Sequence, residues 1–274
     1  MSKFDQVITN GYDFEMSRYI SEGWDLFKKG AGSFIGFTVL YFVIITVVSL
    51  IPMVNLISNI IQSVLLAGFF VYCRNLVNDG GEFNDLFGGF KYFSQIFLYL
   101  IVFFLFMIPI FVLLFTVLLP FELLPELLSG DINSLEYFME EWLDSLTGNL
   151  GTIILSYFLI ILLALYLYIS YSFALPLIVD EGMPFWDAME TSRRVISKKF
   201  FPFLLMFIVL GVITMVGTVL TCGLGILVAI PFLYCVIFVA YDRILSPKKD
   251  EMAAQVADFG EDVKDVNTES EDNS

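Results

Sequence analysis

Five hydrogen-bonding side chains, Asn55, Ser58, Asn59, Gln62 and Ser63, stand in the stretch NLISNIIQS at the spacing of one α-helical face. Further along, Tyr168, Tyr171 and Ser172 are expected to share a second face. Both sets lie within strongly apolar sequence. Such groups can fasten neighbouring helices, at about 0.6–2 kcal/mol per contact inside a membrane. They can also line a cavity for a lipid head group or a small amphipathic ligand. Both readings are open at the level of sequence. Acid–base chemistry has fewer candidates: Asp85, Asp180, Glu181, Asp187 and Glu190, all between apolar runs near the expected inner surface. Carboxylates there are expected to cap helix starts and balance nearby cations.

The chain has no His, and so lacks the commonest general base and transition-metal ligand. No nucleophile-elbow, P-loop or dinucleotide-binding glycine pattern stands in a strand-to-helix context. CGLG at 222–225 reads as a tight turn. Cys73, Cys222 and Cys235 form no CxxC pair, so free thiols are expected rather than a disulfide framework or a zinc site. The expectation is a non-enzymatic protein with no metal and no cofactor.

The elements that must carry these residues follow from composition. Of 274 residues, 58% are hydrophobic and 17% aromatic, more apolar surface than a soluble chain of this length buries. Uncharged runs cover Phe34–Val54, Asn55–Cys73, Tyr92–Leu119, Leu150–Val179, Phe201–Leu220 and Gly223–Tyr241. Each is long enough for a helix to cross about 30 Å of hydrocarbon. The sequence therefore predicts an all-α, polytopic membrane protein with six transmembrane helices. Its parts are an N-terminal cytoplasmic amphipathic segment (1–33), a transmembrane domain (34–245) with an acidic outer loop (120–149), and a disordered acidic tail (246–274). No cleavable signal peptide is expected in the first 33 residues.

All 14 Lys and Arg residues fall before helix 1, between helices 2 and 3, between helices 4 and 5, or after helix 6. The positive-inside rule then places both termini in the cytoplasm. The net charge of −15 resides largely in the outer loop and the tail. Without a concentrated basic face, no nucleic-acid partner is expected. Membrane lipids and a membrane-protein partner are the expected partners, and sequence leaves the oligomeric state open.

A shift of 169 residues aligns helices 1–2 with helices 5–6. Tyr72 then meets Tyr241, and Arg74 meets Arg243, within FFVYCRNL and FVAYDRIL. Each of three hairpins is preceded by a segment with an apolar side and basic residues near its end. Lys28, Lys29, Arg193, Arg194, Lys198 and Lys199 are placed to meet inner-leaflet head groups. The predicted architecture is three repeats of an elbow helix plus a hairpin, related by an axis along the membrane normal. In the outer loop, Ile132, Leu135, Phe138, Met139, Trp142 and Leu146 predict one further amphipathic helix.

The stretches YISEGWDLFKKGAGSFIGFTVLYF (19–42), DLFGGFKYF (85–93) and ALPLIVDEGMPFWDAMETSRRV (174–195) resemble a family of uncharacterised bacterial six-helix membrane proteins. That family is similar to the membrane domain of some glycerophosphoryl diester phosphodiesterases. The resemblance spans roughly residues 15–245 and implies a helical domain of a bacterial inner membrane, without an activity. The functional expectation is a membrane scaffold or lipid-associated partner. The alternatives are a carrier or channel for a neutral or amphipathic solute and, last, a membrane-embedded lipid enzyme using the inner carboxylates.

Overall fold

The computed structural model describes residues 3–50, 55–78, 80–118 and 150–245, with isolated positions between 128 and 148. Among these residues every regular element is helical. In chain order they are α1 (Lys3–Asn10), α2 (Met16–Lys29), α3 (Ala31–Ser49), α4 (Asn55–Val77), a 3-10 segment (Phe83–Tyr92), α5 (Phe93–Leu118), α6 (Leu150–Ser170), α7 (Ala174–Asp180), α8 (Phe185–Lys198), α9 (Phe200–Leu220) and α10 (Ile226–Leu245). Six stretches are long and apolar enough to cross a membrane: Ala31–Ser49, Ser58–Val77, Phe83–Leu113, Leu150–Asp180, Phe200–Leu220 and Ile226–Leu245. The chain is thus a multi-pass, all-helical membrane protein. The outer-loop helix and the acidic tail of the sequence reading lie outside the described residues, apart from isolated loop positions.

The spans pack in a closed series. α3 meets α4, α4 meets α5, α5 meets α6, α6 meets α9, α9 meets α10, and α10 returns to α3. The short elements sit against this series in a regular way. α2 packs on α10, the 3-10 segment on α4, and α8 on α7 and the adjoining ends of α5 and α6. Burial is uneven. Half of an 18-residue window in each of the α4 and α10 spans is buried, whereas α6 buries only Ile160, Ile169 and Ser170. The core therefore centres on α4 and α10.

Aromatic rings fill that core. Phe34, Phe37, Phe69, Phe173, Phe203, Phe238 and Tyr241 are fully buried. Phe37 meets Phe69 edge-on at 5.3 Å between centroids, and Phe69 stacks on Tyr234 at 5.3 Å. In lipid, helix association rests on close packing and hydrogen bonds rather than on escape from water. Edge-to-face and offset-stacked rings each add about 0.5–1.5 kcal/mol.

Two features go beyond the sequence reading. α1 is a separate helix that packs on α8 and α10, and Tyr12 just after it donates to the Val195 carbonyl at 2.9 Å. The segment before α5 is a 3-10 helix, capped reciprocally by Glu82 and Asp85. It buries Leu86, Gly88 and Gly89 and comes close enough to α4 that a Cβ on Gly68 would overlap the Leu86 carbonyl. Two glycines, one on each element, create that approach: a Cβ on Gly89 would overlap the Val64 carbonyl. Successive elements are joined here by backbone contact that any side chain would prevent.

Candidate functional site

The ends of α4, α7 and α10 converge on one arginine. Arg74, in the last turn of α4, binds both carboxylate oxygens of Asp180 at the end of α7. Its third nitrogen reaches Asp242 of α10 at 2.7 Å. The Tyr241 hydroxyl donates to the same Asp180 oxygen that one Arg74 nitrogen binds, at 2.9 Å. The guanidinium also lies over the Phe238 ring, 5.0 Å from its centroid. Planarity and five fixed donors let one Arg serve two carboxylates and a ring at once, which Lys cannot do. The participating side chains are only 12–23% exposed. Each charge is therefore satisfied by its neighbours rather than by water.

The arginine that the 169-residue shift aligns with Arg74 makes a matching contact. Arg243 of α10 binds both oxygens of Glu22 on α2, at 3.0 Å each, and Glu22 also accepts from Arg18 at 2.8 Å. Burial pushes the Glu22 carboxyl up, but the guanidiniums of Arg18 and Arg243 outweigh it and hold the group below its usual range. A carboxylate whose folded value is lowered contributes stability above its unfolded value and loses it as pH falls through the folded one. The α2–α10 contact is therefore at full strength at neutral pH. The two tyrosines aligned by the same shift differ. Tyr241 takes part in the cluster, whereas Tyr72 is buried edge-on against Phe34 at 4.8 Å.

The span containing α6 and α7 is interrupted by a turn at 171–173. Pro176 has no N–H to bond the Ser172 carbonyl, so the α-helical ladder cannot run through unbroken. Ser192, fully buried on α8, closes the break: its hydroxyl donates to the Ser170 carbonyl at 2.7 Å and accepts from the Phe173 N–H at 3.1 Å. Irregular backbone persists at membrane depth only where protein satisfies it. α6 ends at Ser170, so Tyr168 lies on the helix while Tyr171 and Ser172 belong to the turn. Tyr168 is 51% exposed and meets Phe207 edge-on, whereas Tyr171 is buried and stacks on Phe106. The three do not share a continuous helical face.

Within the opening polar stripe, Gln62 donates to the Tyr41 hydroxyl of α3 at 2.5 Å. Ser58 and Ser63 are half-buried, and Asn59 is exposed. The Asn55 side chain lies outside the described residues. Of the basic residues placed at head groups, Lys28, Lys29, Lys198 and Lys199 are exposed, with Lys28 paired to Asp25 at 2.8 Å. Arg193 and Arg194 both bind Glu190. Among the carboxylates, Asp85 caps the 3-10 segment, Asp180 belongs to the arginine cluster, and Glu190 serves two arginines. Asp187 and Glu190 share a cleft of about 270 Å³ with Phe4, Ile8 and Arg194.

Sequence reasoning passed over three partners: Asp242, Glu22, and Gln95, whose amide oxygen accepts from the Phe185 N–H at 3.0 Å. The first two could have been sought, because an Arg ending an apolar run demands a carboxylate close by. Of the cysteines, Cys73 and Cys235 are buried with sulfurs 3.7 Å apart, and Cys222 is exposed. Among the described residues no group of His, Cys, Asp and Glu could hold a metal ion. No family model, no curated protein and no solved structure matches this chain.

Proposed function

We propose that the protein is a non-enzymatic scaffold or lipid-associated partner in a bacterial inner membrane, with both termini in the cytoplasm. The observation that carries this reading is where the polar side chains are used. Gln62 ties α4 to α3, Ser192 seals the α6–α7 break, and Arg74 locks α4, α7 and α10 together. Each works as an internal fastener in an interior filled by aromatic rings, which supports packing over a solute path. The resemblance to six-helix membrane domains agrees with this. Native mass spectrometry of the purified protein tests it. A retained phospholipid or protein partner is expected, and a bare monomer would count against the reading.

The threefold repeat belongs to the same proposal. Each elbow element packs on the second helix of the unit before it, and the first elbow packs on that of the last: 3-10 segment on α4, α8 on the α6–α7 span, α2 on α10. Arg74 and Arg243 each grip an acid from another unit. Such cyclic contact is what parallel repeats about one axis require. Native cysteines give the topology test. With both termini inside, exposed Cys222 faces outward, so a membrane-impermeant maleimide should label it in right-side-out vesicles. Cys73 and Cys235 should stay unlabelled until the protein is denatured. Labelling of Cys222 only in inverted vesicles would reverse the orientation.

A further inference from the structure

A second cleft, of about 140 Å³, lies between α5, the α6–α7 turn and α8. It is lined by Phe106, Tyr171, Trp186, Met189, Glu190 and Arg193. Its chemistry is divided. Phe106 and Tyr171 stack at 6.1 Å with their planes 14° apart. Phe106 and Trp186 are 36% and 56% exposed, so the apolar wall is open to the surroundings of the bundle. On the polar side, Glu190 binds Arg193 through two hydrogen bonds, at 2.8 and 3.0 Å, and Arg194 through one at 2.7 Å. One carboxylate thus serves two guanidiniums, leaving a surplus positive charge. The Arg193 side chain remains 42% exposed, and Lys198 and Lys199 extend the basic character of the same helix.

We propose that this cleft is a binding site for one anionic phospholipid, its phosphodiester on Arg193 and the start of an acyl chain along Trp186, Phe106 and Tyr171. A guanidinium with free donors suits a phosphate oxygen. The surplus positive charge favours a head group without a compensating ammonium. The adjoining aromatic wall favours a lipid over a soluble phosphate, since aromatic rings beside a cation are the usual neighbours of an interfacial head group. The proposal rests on the lipid-associated reading above and names the lipid class and the place.

The test uses the full chain with Trp24→Phe and Trp142→Phe, leaving Trp186 as the single fluorophore. It is reconstituted into phosphatidylcholine vesicles containing, at equal mole fraction, acyl-brominated phosphatidylglycerol or acyl-brominated phosphatidylcholine. Trp186 should be quenched preferentially by the phosphatidylglycerol. Arg193→Gln should weaken that preference roughly tenfold, the scale of one charge-assisted hydrogen bond. Arg194→Gln removes the same charge beside the cleft but none of its lining, and should weaken the preference clearly less than Arg193→Gln does. The ratio of the two lipids in the parent protein decides the matter even if Arg193→Gln folds poorly. Equal quenching by both lipids overturns the site while leaving the membrane-scaffold reading in place. Loss of the preference in millimolar inorganic phosphate overturns the lipid assignment. An equal effect of Arg194→Gln reduces the site to diffuse surface charge. Absence of quenching by either lipid removes α8 from the bilayer and overturns both readings.

Discussion

Arg74→Ala is expected to destabilise the protein by about 3–5 kcal/mol, the cost of leaving buried carboxylates without their cation. Asp180 and Asp242 would lose the cation they share, with the Tyr241 hydroxyl still donating to Asp180. Arg74→Lys should recover part of the loss, because an ammonium restores the charge but cannot serve Asp180 with two donors while also reaching Asp242. The informative variant is the triple replacement Arg74→Met, Asp180→Leu, Asp242→Leu. A buried ion cluster exchanged for apolar side chains of similar volume is often neutral or stabilising. The triple variant should therefore melt closer to the parent than Arg74→Ala does. Thermal unfolding in mild detergent, followed by loss of the monodisperse species, gives the comparison. If Arg74→Ala melts with the parent, the cluster does not join these helices in the way its geometry implies.

Gly68→Ala carries the second large effect. The new methyl would overlap the Leu86 carbonyl, a backbone atom that cannot swing aside as a side chain end can. The 3-10 segment must then lift from α4 and uncover Leu86, Gly88 and Gly89. Overpacking typically costs about 1–3 kcal/mol and occasionally more, and a backbone obstacle places this substitution at the upper end, about 3 kcal/mol. Gly89→Ala should behave similarly against the Val64 carbonyl. Gly211→Ala in α9 is the control: nothing lies within 4 Å of its added methyl. It should stay within about 1 kcal/mol of the parent, the scale of the helix-propensity difference. The same melts serve as readout. Equal behaviour of Gly68→Ala and Gly211→Ala would show that the close approach does not hold the segment in place.

The two positions differ in how far their importance can be read along the chain. Gly68 reads as one small residue in an apolar run, and Gly88-Gly89 as a break in a short helix. Only the meeting of α4 with the 3-10 segment makes them indispensable. Arg74 was conspicuous as a cation ending a greasy helix, and the repeat comparison singled it out together with Arg243. Its acids come from 106 and 168 residues away, a separation at which no spacing rule applies. The polar stripe on α4 was legible as a helical face, yet nothing local says that Gln62 meets Tyr41. The Tyr168–Tyr171–Ser172 face failed as a pattern because helical periodicity assumes an unbroken helix, and the turn at 171–173 breaks it.

What the sequence by itself determined is what the bilayer as solvent dictates. Six long uncharged stretches must be helices, since hydrocarbon offers backbone groups no other partner. The absence of His removes its chemistry whatever the fold. What only the tertiary structure decided is pairing: which acid meets which arginine, which hydroxyl seals the broken helix, and which glycines let two backbones touch. Lipid is as apolar as the side chains it surrounds, so hydrophobicity marks the spans but does not choose their neighbours. That choice falls to a few hydrogen bonds, ion pairs and close contacts between residues far apart in the chain.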